Sequence, residues 1–192
     1  MVWNEKPLIQ EDRRSIEDIK ITFQQTGLPF WCWVFPCGRS EATGEILQSA
    51  GFSFIDSIPC MLADLSLPEA EEDDRSLQIV QVQNEETLRV WEKVSFAGFD
   101  FPPETQHQYH RFVGTFNLKA DSPQKFFLAY FNGQPVATSL LFLHETAAGI
   151  YFISTLAEIR RKGIGLAITR STMRVARQAG AQYATLQSSP DG

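Results

Sequence analysis

The sequence predicts an α/β (α+β) protein with a mixed, largely antiparallel central sheet flanked by helices. Three observations carry that prediction. Residues 126–131 and 136–143 are apolar runs joined through Asn132-Gly133-Gln134-Pro135, and Asn-Gly between such runs is the strongest short hairpin signal. A third strand-like run, 149–156, turns through Gly163 and Gly165 into a helical pattern over 166–179, and 180–186 is extended again. Helical segments opened by capping residues and closed by glycine precede this meander.

From the N-terminus, residues 16–25 place Ile16, Ile19 and Phe23 on one face, with Ser15 as the expected N-cap, Asp18 three residues on, and Gly27 as the stop. Residues 28–35, Leu-Pro-Phe-Trp-Cys-Trp-Val-Phe, suit a strand buried on both faces. A loop with Pro36, Gly38 and Ser40 leads to a helix over 42–50 that closes at Gly51. Residues 52–65 are extended and broken at Pro59. The stretch 67–76 holds five acids, which repel one another and form no core. It is expected to be a solvated linker between residues 1–66 and residues 77–192.

After it the pattern restarts. Residues 77–83 alternate as a strand, and Asn84 caps a helix with Glu85 and Glu86 in its first turn, Leu88, Trp91 and Val94 or Ser95 at helical spacing, and Gly98 as the stop. Phe99-Asp100-Phe101-Pro102-Pro103 is a rigid loop before a helix over 104–116. After the Asn132-Gly133 hairpin, residues 144–147 turn the chain into the run at 149–156. The last helix shows Ile164, Ile168, Ser171, Val175 and Ala179 on one face and Arg170, Arg174 and Arg177 on another, solvated one.

The chemistry gathers at Arg160-Arg161-Lys162-Gly163-Ile164-Gly165. A helix N-terminus presents unpaired N–H groups and the positive end of the helix dipole, so a strand that turns through glycines into a helix suits an anion such as phosphate. Glycine lets the backbone turn tightly at 163 and lets a bulky anion approach at 165. A dinucleotide fingerprint would need a glycine where Ile168 stands, and no Gly-Lys-Ser or Gly-Lys-Thr of a P-loop occurs.

With Arg160, Gly163 and Gly165 in place, the stretch resembles the acyl-CoA signature of the GNAT superfamily of N-acetyltransferases: Arg or Gln, two residues, Gly, one residue, then Gly or Ala. The resemblance covers residues 77–192, with 149–156 as the fourth strand of that fold and 180–186 as its fifth. It implies a GNAT-type fold with acetyl-CoA as acyl donor. The backbone of Ser154, Thr155 and Leu156 would line the pantetheine arm, and Arg160, Arg161, Lys162, Gly163, Ile164 and Gly165 would hold the pyrophosphate. It also places the aromatic loop 99–103 beside the acceptor. Strand, helix and Gly51-Phe52 resemble the back end of the same fold, so residues 1–66 are expected to be a degenerate GNAT-like half in tandem.

Acetyl transfer needs a deprotonated amine, an oxyanion site and an acid for the departing thiolate. The family often takes the acid from a tyrosine in a helix after the fifth strand. This sequence ends Ser188-Ser189-Pro190-Asp191-Gly192, so residues 77–192 are expected to lack the last helix and strands or to take them from residues 28–65. No carboxylate lies in 149–156. Glu104, His107, His110, His144 and Glu145 are the candidate bases, with a water relay as the alternative, and the catalytic residues are unassigned.

Composition bounds the rest. With 43% hydrophobic and 21% charged residues the chain is an ordinary globular protein. Seventeen Lys and Arg against 23 Asp and Glu, a net charge of −6, with no basic stripe outside the loop and its helix, argue against nucleic acid. No apolar run nears the roughly 20 residues of a membrane span, and the first residues lack a signal-peptide layout. A cytoplasmic protein is expected. Cys32, Cys37 and Cys60 form no metal set and are expected to be buried thiols. The function expected is an N-acetyltransferase acting on a primary amine of a small molecule or peptide, with a homodimer as an admissible assembly. The rivals are a non-catalytic acyl-CoA sensor and an interaction scaffold whose aromatic N-terminal half pairs with a partner.

Overall fold

A computed structural model describes residues 2–4, 6–26, 31–67 and 77–188. The chain divides into two units, Met1–Ser57 and Ile58–Gly192.

In the first unit, β1 (Val2–Asn4) pairs in parallel with β2 (Cys32–Val34), Val2 opposite Cys32. The helix α1 (Arg13–Thr26) begins earlier than its pattern suggested. A 3₁₀ turn, Gln10–Asp12, leads into it, and the Asp12 carboxylate accepts the Ile9 N–H at 2.9 Å. Ser15 therefore lies inside the helix and caps nothing. Of the expected strand at 28–35, β2 covers Cys32–Val34, with Val34 exposed, and residues 27–30 lie outside the described residues. α2 (Glu41–Ser49) starts where Ser40 Oγ accepts the Thr43 N–H at 3.0 Å, and it closes at Gly51 with φ +83°. Thr43 is buried because its Oγ1 donates to the Gly38 carbonyl and accepts the Leu8 N–H, both at 2.9 Å.

The second unit is built on one sheet. Its strands are β3 (Cys60–Asp64), β4 (Leu77–Gln81), β5 (Gln124–Phe131), β6 (Gln134–His144), β7 (Ala147–Thr155) and β8 (Tyr183–Gln187), in the order β3-β8-β7-β6-β5-β4. Only β7 and β8 are parallel, joined through α5 (Ile164–Gln178). Between β4 and β5 run α3 (Glu85–Gly98) and α4 (Gln106–Val113). Asn84 caps α3, with Oδ1 accepting the Thr87 N–H at 2.9 Å, and Asn132 and Gly133 turn the β5–β6 hairpin at φ +51° and +77°. The fold is the mixed, largely antiparallel sheet with flanking helices that the sequence predicts.

Each face of the sheet carries its own core. Ile164, Ile168 and Ala176 of α5 pack on Phe127, Ala137, Leu141 and Ile150. Leu88, Trp91 and Val94 of α3, with Tyr109 and Val113 of α4, pack on Phe126, Leu128 and Leu140. The buried stripe of α5 runs 164–168–172–176, one residue beyond the expected face at Ser171 and Val175. Arg177, expected in solvent, donates to the carbonyls of Leu65 and Leu67, the latter at 2.6 Å, and so holds the segment after β3.

The boundary between units falls after Ser57, not at 66, because β3 belongs to the second sheet: Cys60 to Asp64 pair antiparallel with Gln187 to Tyr183. Residues 68–76 of the expected linker lie outside the described residues. Cys37 and Cys60 are exposed rather than buried, one in a 3₁₀ turn and one on the edge strand. Cys32 is half-buried, and burial pushes its thiol pKa up.

Candidate functional site

β7 is the strand on which the site is assembled. On one side it pairs with β8 only from Ala147 to Ile150, and the residues after Ile150 have no register partner there. On the other side its pairing with β6 steps from Leu140–Tyr151 to Thr138–Ser154, so Phe152 and Ile153 together face the single residue Ser139. This is a β-bulge, and Phe152 takes the left-handed conformation at φ +51°, which costs a residue with a bulky side chain about 1–2 kcal/mol.

The surroundings hold the bulge from both faces. Trp91, fully buried, donates its indole N–H to the Ser139 carbonyl at 3.2 Å. Thr172 of α5 donates to the Ile168 carbonyl, so the 2.6 Å contact between Ser139 and Thr172 is Ser139 donating. On β6, Thr138 donates to the Phe152 carbonyl at 2.9 Å. A peptide unit is planar and trans, so an N–H points opposite the carbonyl before it. The Ile153 N–H therefore points away from the Thr138 hydroxyl.

At the end of β7 the chain makes a 3₁₀ turn, Ala157–Ile159, and enters α5 through Arg161 at φ +64° and Gly163 at φ +77°. No side chain caps α5, so its first amides keep their donors for an anion. A Cβ at Gly163 would meet nothing within 4 Å, and one at Gly165 would meet only Thr155 Oγ1 at 3.6 Å. Neither glycine is crowded at its Cβ position. Ile164 is buried in the core, so it contributes its amide and anchors the turn.

The basic residues divide their roles. Arg160 donates from Nε to the Thr155 carbonyl at 3.0 Å and from Nη2 to the Gly98 carbonyl at 2.7 Å. Its guanidinium ties the loop to the end of β7 and to the last turn of α3. Lys162 places its ammonium 5.7 Å from the centre of the Phe131 ring. Arg161 is exposed beside the turn. Ser154 is buried against Gly98 and shares a 2.8 Å hydrogen bond with Thr138, whereas Thr155 and Leu156 are half-buried, and the Leu156 N–H donates to the Val136 carbonyl. Of the nine residues singled out in the sequence, Thr155 and Arg160 are joined by a hydrogen bond, and Gly163 to Gly165 lead into α5.

On the α3–α4 face the bulge meets aromatic rings. Phe152 lies 5.9 Å from both Phe99 and Phe112, which are exposed, and Phe99 stacks on Phe101 at 5.4 Å. His110 directs Nδ1 at the Glu92 carboxylate at 3.0 Å, and since a carboxylate only accepts, the ring nitrogen donates. Glu92 has no signal in the sequence. His144 ends β6 opposite Ala147 and Glu145 follows in the turn, so both stand at the start of β7, about five residues or 17 Å of strand from the bulge and at the far end of it from the loop. Glu104, in the 3₁₀ turn Pro103–Thr105 that precedes α4, and His107, in the first turn of α4, are exposed. A groove of about 410 Å³ between Leu65 and Gln182 lies at the other end of α5 from its open amides. Among the described residues no cluster of three His, Cys, Asp or Glu could hold a metal ion, and no helix is long and apolar enough to cross a membrane.

The sequence missed Thr138, Ser139, Trp91 and Thr172, which hold the bulge. Each reads as an ordinary core or strand residue, and only the register of β6 against β7 gives it a role.

A family model described as the acetyltransferase (GNAT) family matches residues 86–191. In structure the chain is similar to a GCN5-related N-acetyltransferase from Kribbella flavida, with a TM-score of 0.73 at 16% identity over 96% of this chain and 68% of that one. It is also similar to a GCN5-related N-acetyltransferase from Sphaerobacter thermophilus, with a TM-score of 0.66 at 18% identity over 84% of this chain and 51% of that one. A functionally unknown conserved protein from Staphylococcus epidermidis gives a TM-score of 0.63 at 16% identity over 97% of this chain and 73% of that one. At such identities the likeness is one of fold. No curated protein matches the chain.

Proposed function

The chain belongs to the acetyltransferase (GNAT) family, and from that premise we propose that it transfers acetyl from acetyl-CoA to a primary amine. The observation that carries the acetyl-CoA half is the uncapped N-terminus of α5, entered through the left-handed Gly163 and uncrowded at the Cβ position of Gly165. These are the features an incoming pyrophosphate requires. The amides of Gly163, Ile164 and Gly165 would hold it, with Arg161 beside them. Acetyl-CoA supplies the acyl group already activated as a thioester.

The chain's own residues would do the following. The stretch Ser154, Thr155 and Leu156 runs along the edge that β8 has left and would line an extended pantetheine arm, although the Leu156 N–H is held by Val136 and the Thr155 carbonyl by Arg160. The Ile153 N–H, turned away from the Thr138 hydroxyl, would donate to a carbonyl oxygen as charge develops there, the kind of fixed dipole worth most in a water-excluded site. Phe99, Phe112 and Phe152 border the bulge on the α3–α4 face, where an acceptor amine, free or on a peptide, would approach. Arg160 acts as a strut between the loop, β7 and α3. A cytoplasmic setting goes with this reading, since acetyl-CoA is its donor.

Calorimetric titration with acetyl-CoA tests it. Micromolar binding is expected, abolished when Gly163 and Gly165 are both replaced by valine, because one change forces a β-branched residue to φ +77° and the other fills the approach. Unaltered binding in that variant would sink the loop assignment. Binding with no turnover across a panel of amines would favour the sensor over the enzyme.

A further inference from the structure

We propose that Thr138 is a positioning residue for acetyl transfer, its hydroxyl fixing the peptide plane between Phe152 and Ile153 and thereby aiming the Ile153 N–H. The proposal rests on the acetyl-CoA reading of the site. Thr138 is fully buried on β6 and Ser154 nearly so on β7. A threonine hydroxyl has one proton, and Thr138 gives it to the Phe152 carbonyl at 2.9 Å. The 2.8 Å contact with Ser154 must then run the other way, Ser154 donating to Thr138. The two hydroxyls form a one-directional relay that ends on the carbonyl of the left-handed residue, and each bond in such a chain polarises the next.

The relay acts where the ladder does not. Phe152 and Ile153 have no register partner on β6 or β8, so the Thr138 hydroxyl holds the peptide between them at a point where the regular register is interrupted. Rotation of that peptide would turn the Phe152 carbonyl and the Ile153 N–H together, because the unit is rigid. A methyl in place of the Thr138 hydroxyl would keep the volume and shape of the side chain while removing the bond. The loop amides of Gly163 to Gly165 lie beyond the end of β7 and share no hydrogen bond with Thr138, so the anion site is left as it was.

The test is titration of the full chain with acetyl-CoA and with free CoA, in wild type and in Thr138→Val, Thr138→Ser and Ser154→Ala. Wild type should bind acetyl-CoA more tightly than CoA, since only the thioester offers a carbonyl to Ile153. In Thr138→Val that preference should fall by about fivefold, the scale of one neutral hydrogen bond, while affinity for CoA stays within about twofold. Thr138→Ser should restore the preference, and Ser154→Ala, which removes only the upstream donor, should lower it by less. An unchanged preference in Thr138→Val overturns the proposal, as does equal weakening of both ligands with a lower melting temperature, which marks a merely structural hydroxyl. Should Thr138→Val not fold, an unchanged preference in Ser154→Ala overturns it instead. Wild type that binds both ligands alike also overturns it. If wild type binds neither, the acetyl-CoA reading itself has failed and the proposal falls with it.

Discussion

Tyr109 shows how a single buried hydroxyl makes stability depend on pH. Its ring is enclosed by Phe96, Phe101 and Phe112, and its OH lies 2.7 Å from Ser95 Oγ. Ser95 gives its own proton to the Glu92 carbonyl, so the neutral Tyr109 is the donor, and on ionising it would accept the Ser95 proton instead. Burial pushes its pKa up to about 12, with the Ser95 hydrogen bond working against the rise and the Glu92 charge adding to it. The sign follows from the proton count. Between the unfolded value near 10 and the folded value, the unfolded chain releases a proton that the folded chain keeps, so stability falls as pH rises through that interval. Below pH 10 the contribution is complete. Tyr109→Phe should cost about 1 kcal/mol at pH 8, and the gap between variant and wild type should narrow by pH 11. Denaturant melts of both proteins at the two pH values check this; parallel curves would show that the phenol titrates normally.

Among the elements, α3 and β7 meet with no side chain between them at Gly98. A Cβ there would lie 2.7 Å from Ser154 Oγ and 2.8 Å from Ser154 Cβ, closer than real contacts allow. Ser154 is buried and tied into the Thr138 relay, so it cannot move aside. Alanine favours a helix over glycine by about 1 kcal/mol, yet overpacking a core costs about 1–3 kcal/mol, and at this crossing the clash should win. Gly98→Ala should lower the melting temperature and weaken acetyl-CoA binding, because the displaced turn carries the carbonyl that Arg160 holds. Gly44, in the middle of α2 with nothing within 4 Å of its would-be Cβ, is the counter-case. Gly44→Ala should raise the melting temperature of its unit, and equal effects at both sites would refute the argument from close approach. The contrast also marks what a sequence can reveal. The Asn84 cap, the Asn132-Gly133 hairpin and the Gly163 turn were legible because each is decided within a few residues. The bulge was not, since a phenylalanine at positive φ has no local signature and is held by residues on β6, α3 and α5. Arg160 was legible as a site residue but not as a strut, for its partner at Gly98 lies 62 residues away.

At the scale of the molecule, the sequence misled most over where one unit ends and the next begins. The acidic run after Leu67 is the strongest composition change in the chain, and composition marks solvation, not sheet membership. β3, which precedes that run, pairs along its whole length with β8, some 120 residues later, through Cys60–Gln187 to Asp64–Tyr183. Leu65 follows it into the core at 3% exposure, its N–H donates to the Gln182 carbonyl at 2.8 Å, and Arg177 grips the carbonyls beyond. Burying a leucine side chain is worth about 1.5–3 kcal/mol, and the strand also covers an edge of β8 that would otherwise invite pairing with other chains. Two fragments separate the alternatives. Residues 58–192 should melt in one cooperative transition and stay monodisperse, whereas residues 77–192 should melt at least 10 °C lower, on the order of 2 kcal/mol or more at this size, and should aggregate through the bare edge of β8. Thermal melts with light scattering decide it: equal stability in the two fragments would mean that β3 is an ornament on the sheet and that the boundary belongs at the acidic run after all.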